Sequence, residues 1–286
     1  MLFTKMHGLG NNYVLFDLLK SQFNNQDISQ LSMKISDVNF GIGSDGIILI
    51  GPSSIADFQM RIFNSDGSEA KNCGNGLRCT AKYLFDHNHA KAKCFKIETL
   101  GGVVQAEVEI DQGQTVQYVT VNMGEPKFLR SEIPLIGHPL DKAINEQFVI
   151  GNEIYHLTCV SMGNPHAIFF VDDVHEFPLE QIGPIIENSY FFPDRVNVGI
   201  VHVVNNCEIQ YRVWERGSGL TMACGTGACA AVVAATINNR LDKNIPITVH
   251  LPGGDLTVKW DHQNQVWKKG PAEYICSGDI KIPTLF

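Results

Sequence analysis

The pattern Cys-Gly-x-Gly occurs twice, as Cys73-Gly74-Asn75-Gly76 and as Cys224-Gly225-Thr226-Gly227, and each copy opens an apolar run with helical periodicity. The two copies share a frame. One constant offset of 151 positions superposes Arg61 on Arg212, Ile62 on Val213, Phe63 on Trp214, Asn64 on Glu215 and Cys73 on Cys224. Each half thus holds a strand, a loop of equal length, a thiol and a helix. A weaker match, at an offset of 153, aligns Gly10-Asn11 with Gly163-Asn164, both just ahead of a strand. A chain so built is expected to fold as two copies of one unit. Pseudo-two-fold symmetry would face their equivalent loops across an interdomain cleft, a preferred place for a small molecule.

Strand patterns recur in both halves: YVLFDL from Tyr13, GIILIG from Gly46, FQMRIF from Phe58, VVQAEVEI from Val103 and VQYVTVNM from Val116, then AIFFVDD from Ala167, VGIVHVV from Val198, IQYRVWER from Ile209, ITVHL from Ile247 and LTVKW from Leu256. Helical pattern is confined to DISQLSMKIS and to the runs after the two Cys-Gly pairs. The class is α+β. At 286 residues two domains are expected. The proline-rich stretch from Met123 to Phe148 is the natural linker, which gives an N-terminal domain over 1–122 and a C-terminal one over 123–274.

Thirty acidic against 22 basic side chains give a formal charge of -8, and no basic run is present. Nucleic acid and anionic membrane surfaces are therefore excluded as partners. The start of the chain lacks the charged and apolar regions of a secretion signal, and no segment approaches about 18 consecutive apolar residues. A soluble, cytoplasmic protein is expected, with its eight cysteines as reduced thiols. Cys94, Cys159, Cys207 and Cys276 stand in apolar or strand-like surroundings and read as small buried hydrophobes. Cys79 and Cys229 are turned off the helix-start direction and read as core.

A cysteine just before a helix sits where unpaired backbone N–H groups and the helix dipole favour negative charge, so its thiolate is expected to be stabilised. The glycines let the backbone approach a carboxylate closely. One such start makes a base beside an anion pocket; two can serve one carbon from both sides. Zinc is disfavoured by the lack of Cys-x-x-Cys spacing. A redox dithiol is the other use of such a pair. Asn11, Asn64, Asn164 and Asn197 suit turns, His166 opens a strand, and Glu215-Arg216 ends one.

The runs FTKMHGLGNNYV from Phe3, FGIGSDGI from Phe40, FNSDGSEAKNCGNGLRC from Phe63, SMGNPHAI from Ser161, RVNVGIV from Arg195 and RVWERGSGLTMACGTGACA from Arg212 together resemble diaminopimelate epimerases, nearly end to end and in order. The resemblance implies two pseudo-symmetric domains, each a mixed, mostly antiparallel sheet curled around a central helix, with the active site in the interdomain cleft. It also implies that a C-terminal strand, about 275–286, returns to the first domain. The implied activity is cofactor-independent interconversion of LL- and meso-diaminopimelate. Cys73 and Cys224 would be the acid and base, alternating between thiolate and thiol.

By the same resemblance, backbone donors at Gly74, Asn75, Gly225 and Thr226 would hold the α-carboxylate. Asn11, Asn64, Asn164, Asn197, Glu215 and Arg216 would hold the rest of the substrate, and His166 and Glu215 would tune the thiols. No metal and no organic cofactor is called for, and a homodimer is implied. Two departures stand out: Asn11-Asn12-Tyr13 where many members have Asn-Asp-Phe, and Gly46 where some carry glutamine. The alternatives are a proline or hydroxyproline racemase-like enzyme, which shares the two-thiol logic, and a thiol-based redox-sensing binding protein.

Overall fold

The computed structural model describes residues 1–20, 27–71 and 73–281. Asn72, just ahead of the first thiol, and residues 282–286 of the expected returning strand lie outside the described residues. The chain divides into two compact units, Met1–Val121 with Lys269–Phe286, and Asn122–Lys268.

In the first unit the order is β1 (Leu2–Gly8), β2 (Asn11–Asp17), α1 (Ile28–Ser36), β3 (Gly46–Gly51), β4 (Phe58–Asn64), α2 (Gly74–Asp86), β5 (Cys94–Thr99), β6 (Gly102–Ile110) and β7 (Val116–Asn122). β1 runs antiparallel to β2, β2 parallel to β3 through the α1 crossover, β3 antiparallel to β4, and β4 parallel to β5. β5, β6 and β7 continue antiparallel. Asp27 starts α1 by accepting the Gln30 N–H at 3.2 Å. Leu31 and Ile35, one turn apart, then share a core with Val14, Phe16, Ile47, Leu49 and Phe63.

The second unit repeats this topology. It contains β8 (Glu146–Ile150), β9 (Glu153–Ser161), β10 (Pro165–Phe170), α3 (Leu179–Glu187), β11 (Asn197–Asn205), β12 (Glu208–Glu215), the short β13 (Gly219–Leu220), α4 (Gly225–Ile237), β14 (Ile247–Leu251), β15 (Gly254–Trp260) and the first residues of β16 (Val266–Gly270). β9 is antiparallel to β10, β10 parallel to β11 through the α3 crossover, β11 antiparallel to β12, and β12 parallel to β14. Each step has its counterpart in the first unit, so the duplication extends far beyond the matched motif. The last strand, β17 (Glu273–Asp279), pairs antiparallel with β1. Within the second unit β8 holds the same place beside β9.

Each unit is a mixed, mostly antiparallel sheet curled around one helix. α2 packs on β1, β2, β3, β4 and β6, and α4 on β9, β10, β11, β12, β14 and β15. A helix met by strands from so many sides must be buried all round. α4 meets that demand with alanine, valine and glycine. α2 instead buries Arg78 and Lys82, whose charged ends are used locally: Arg78 donates to the Pro271 carbonyl at 3.0 Å, and Lys82 pairs with Asp86 at 3.2 Å. The second glycine of each motif sets the helix-to-sheet distance. A Cβ at Gly76 would lie 3.0 Å from Ile48 Cδ1, and one at Gly227 would lie 2.3 Å from the Tyr211 hydroxyl.

The stretch from Met123 is not a linker. It belongs to the second unit and supplies Ile133, Leu135, Ala143 and Phe148 to that unit's core, where the buried Arg130 pairs with Glu146. Among the described residues no helix is long and apolar enough to cross a membrane.

Candidate active site

Cys73 caps α2 from an extended backbone conformation, and its Sγ accepts the Gly76 N–H at 3.4 Å. The Tyr13 hydroxyl meets the same sulfur at 3.2 Å. On another side the Asn11 side-chain oxygen stands 3.9 Å away, where it can accept the S–H. Asp45 fixes that orientation. Its Oδ2 accepts the Asn11 amide at 2.8 Å and the Asn12 backbone N–H at 2.7 Å, and a carboxylate accepts only, so the Asn11 oxygen must face the other way. That oxygen also receives the Asn75 amide at 3.1 Å. The sulfur therefore has donors that suit a thiolate, Tyr13 and Gly76, and an acceptor that suits a thiol.

Cys224 stands at the same N-cap position of α4, also from an extended backbone but without a side-chain hydrogen bond that caps the helix, and is 4% exposed. The Thr226 hydroxyl lies 3.6 Å from Sγ and also 3.1 Å from His166 Nε2, which in turn meets the Asn164 oxygen at 3.1 Å. Asn164 Oδ1 can only accept, so Nε2 carries the proton and Thr226 is free to donate to sulfur. Burial, and then the Arg216 charge, pull the His166 pKa down to about 3. This imidazole is neutral at physiological pH. It acts through its N–H, and its buried Nδ1 has no hydrogen-bond partner among the described residues.

The helix-start expectation of a stabilised thiolate is corrected at Cys224. Burial first, and then the neighbouring Glu215 carboxylate, push this thiol well above its ordinary range, outweighing the lowering by Thr226 and the Gly227 N–H. Glu215 is the repeat partner of Asn64, each ending its strand, so a charged acceptor in the second unit replaces a neutral residue in the first. Cys224 rests as a thiol.

The turn after β12 is held from beneath. The buried Glu187 on α3 accepts Trp214 Nε1 at 2.7 Å, the Gly217 N–H at 2.9 Å and Arg195 at 3.4 Å. Asn197 joins this frame, donating to the Pro165 carbonyl at 2.8 Å and accepting the Arg216 N–H at 2.9 Å. Glu215 accepts from the Thr221 hydroxyl. The exposed Arg216 guanidinium reaches the Asp194 carbonyl at 3.0 Å and keeps other donors free for a carboxylate. Asn64 donates to Ser68 Oγ at 3.0 Å and sits apart from the Cys73 contacts.

The first N–H groups of each helix, at Gly74-Asn75 and at Gly225-Thr226, are left by helix geometry without a partner inside the helix. At Gly46 a Cβ would lie 2.1 Å from the Phe63 carbonyl oxygen, so this backbone has no room for a side chain. Among the described residues no group of three or more His, Cys, Asp or Glu is arranged to hold a metal.

All eight cysteines are free thiols, and Cys79, Cys159 and Cys229 are buried. Cys94, Cys207 and Cys276 are exposed, contrary to their reading as buried hydrophobes. Cys94 shares the outer face of β5 with Lys96, Cys207 lies in the β11–β12 turn bonded to Asn205, and Cys276 is on β17 opposite Lys5, beside the register shift in its pairing with β1. Sequence reasoning missed Tyr13 and Asp45 as partners of the first thiol site. The Gly-Asn match between the halves, extended by two residues, sets Tyr13 against His166.

The model of the family described as diaminopimelate epimerase matches residues 3–129 and 158–275. The diaminopimelate epimerase of Oceanobacillus iheyensis is 54% identical over 276 residues, 96% of this chain and 96% of that protein. The one from Geobacillus thermodenitrificans is 52% identical, over 97% of this chain and 95% of that protein. Among solved structures, a PhzF-family phenazine biosynthesis protein of Bacillus anthracis superposes with a TM-score of 0.72 at 16% identity, covering 99% of both chains. A hydroxyproline epimerase from Agrobacterium vitis, with bound trans-4-hydroxy-L-proline, gives 0.70 at 14% identity over 97% of this chain and 91% of its own. These two likenesses concern the fold alone. The family match and the relatives at more than half identity over nearly the whole length decide the matter: the chain belongs to the diaminopimelate epimerase family.

Proposed function

We propose that the chain is an isomerase that interconverts LL- and meso-2,6-diaminopimelate by a two-base mechanism, with Cys73 and Cys224 as the catalytic pair. One sulfur, as thiolate, takes the α-proton; the other, as thiol, gives its proton to the opposite face of the same carbon. The observation that carries the reading is the matched pair of helix-capping cysteines, each with both an acceptor for its S–H and donors for its thiolate. Every catalytic cycle moves each sulfur from one state to the other, so each needs both kinds of partner. Glu215 and burial favour the thiol at Cys224, the form in which it would serve as the acid.

The α-carboxylate is held by the backbone donors at Gly74, Asn75, Gly225 and Thr226, which also stabilise charge as the carbanion develops. Arg216 takes the distal carboxylate as a fork-shaped cation. Asn11, Asn64, Asn164, Asn197 and Glu215 hold and frame the substrate, and His166 supports Cys224 through Thr226. All steps are carried by these groups, with no metal or organic cofactor called on. The reaction belongs to lysine and peptidoglycan precursor biosynthesis. A cytoplasmic homodimer fits the eight free thiols and the exposed Leu2, Tyr274 and Ile275 on β1 and β17.

Incubating the reduced protein with LL-diaminopimelate, and separately with L-proline and trans-4-hydroxy-L-proline, tests the substrate. Chiral chromatography is expected to show meso-diaminopimelate and no epimer of either proline. Turnover of a proline with an inert diaminopimelate would move the chain to the racemase alternative.

A further inference from the structure

We propose that Tyr13 is a positioning residue for the first thiol: its buried hydroxyl donates to Cys73 Sγ and holds that sulfur as thiolate, the task His166 performs at Cys224 through Thr226. The inference rests on the two-thiol reading above and extends it to a residue to which the resemblance gave no role.

Three observations carry it. The phenol is 5% exposed and its oxygen is 3.2 Å from Cys73 Sγ. A buried O–H that fails to donate costs free energy, and the sulfur is within reach as an acceptor, with the Asn11 side chain the other hydrogen-bonding group beside the phenol. Second, the offset that sets Asn11 on Asn164 sets Tyr13 on His166, on the equivalent strands β2 and β10. Third, the residue after each Cys-Gly complements this exchange. In the second unit the imidazole stops at Thr226, 3.1 Å from its hydroxyl, which spans the remaining 3.6 Å to sulfur. In the first unit the phenol reaches the sulfur itself, and the residue matching Thr226 is Asn75, whose amide turns to Asn11.

Tyr13 can only donate while it is protonated, and its surroundings keep it so. Burial, then the Cys73 sulfur and the Asp45 carboxylate, hold the phenol well above its ordinary pKa. The titratable groups facing it are Cys73 at the start of α2 and Asp45 ahead of β3. With Asn11 accepting the S–H at 3.9 Å, Tyr13 supplies the thiolate side of the Cys73 cradle.

Tyr13→Phe removes the oxygen and keeps the ring. Iodoacetamide labelling near neutral pH, resolved by mass spectrometry for each cysteine, is expected to slow about tenfold at Cys73 and to stay within about twofold at Cys224. With diaminopimelate, kcat is expected to fall by a similar factor while KM changes less than about twofold. Cys73 labelling within about twofold of the unsubstituted chain, or equal slowing at both cysteines, overturns the assignment. If the variant melts early, the tyrosine hydrogen-bond doublet in the Raman difference spectrum of the unsubstituted chain, before and after alkylation of Cys73, decides instead: a change supports donation to sulfur and no change refutes it. The labelling readout needs no turnover. Slowed labelling in a chain that leaves diaminopimelate unchanged would sink the epimerase reading and keep the Tyr13 contact, whereas normal labelling in an active enzyme would do the reverse.

Discussion

Replacing either Cys73 or Cys224 by alanine is expected to lower epimerisation of diaminopimelate about a thousandfold or more, because each change removes the group that takes or gives a proton on one face of the α-carbon. The effect should fall on kcat. Substrate affinity is expected to change little, since in the proposed mechanism binding falls to the helix-start N–H groups, Arg216 and the asparagines rather than to sulfur. Neither cysteine is in a disulfide, so the fold should survive both substitutions. Cys224 is the more buried of the two, and its alanine variant should show the larger drop in melting temperature. Initial rates over a range of substrate concentration, with a thermal melt of each variant, check the expectation. A variant with near-normal kcat would remove its cysteine from the mechanism.

The second large effect is on stability in acid, and it comes from His166. This side chain is completely buried and neutral, with its pKa pulled from the ordinary 6.5 down to about 3, so between those values the unfolded chain binds a proton that the folded one refuses. Stability therefore rises with pH through this window where the unfolded state holds more protons. The contribution is fully present above about pH 6.5 and is lost as pH falls towards 3. At pH 4 the loss relative to pH 7 should reach about 3 kcal/mol, at 1.36 kcal/mol per pH unit below 6.5. His166→Gln keeps an N–H near Nε2 and cannot titrate. Urea unfolding of both proteins at pH 7 and pH 4 should show the unsubstituted chain losing more stability than the variant by that amount. Equal losses would mean that His166 is not held neutral in the folded state.

The parts of this molecule that repeat were legible before the structure was known. Cys-Gly-x-Gly, the strand before it and the buried helix after it form one local unit whose signals reinforce each other, and both copies fold as expected. The class and the two-unit plan follow from them. What was missed has less local signal. α3 carries Gly183 and Pro184 inside the helix, which breaks its pattern; the glycine is there because a Cβ would strike Trp214 at 2.6 Å. β17 is exposed along most of its length and has no alternation, so its own residues carry no strand signal; the family resemblance alone implied a returning strand, which the structure places at Glu273–Asp279 against β1. The stretch from Met123 looked like a linker because prolines and mixed charge dominate it, yet its few apolar residues are core residues of the second unit.

The candidate site shows the same division. The thiols and their glycines could be found from spacing alone. The state of Cys224 could not, because it depends on Glu215 nine residues upstream and on burial by elements distant in sequence. A local rule, that helix starts favour thiolates, was overridden by burial and by that carboxylate. Cys94 was misread for a different reason. Alternation along β5 sets it with Lys96 and Glu98 on one face and Phe95 and Ile97 on the other, and a reading by period rather than by residue type would have put it outside. Tyr13 was visible as a departure from the family pattern, and its meaning came only with the 3.2 Å contact to sulfur.

The central claim is that two thiols work on opposite faces of one carbon. Proton NMR and mass spectrometry of LL-diaminopimelate incubated in D2O with the reduced protein, sampled during the first few per cent of conversion, test it most directly. Two thiols that each hold their own proton predict a specific pattern: the meso product carries deuterium at the inverted α-carbon, while the remaining LL substrate still carries its original hydrogen. Product that retains the substrate's own hydrogen would mean that a single base passes one proton from face to face, and would contradict the assignment of Cys73 and Cys224 as an acid and base pair.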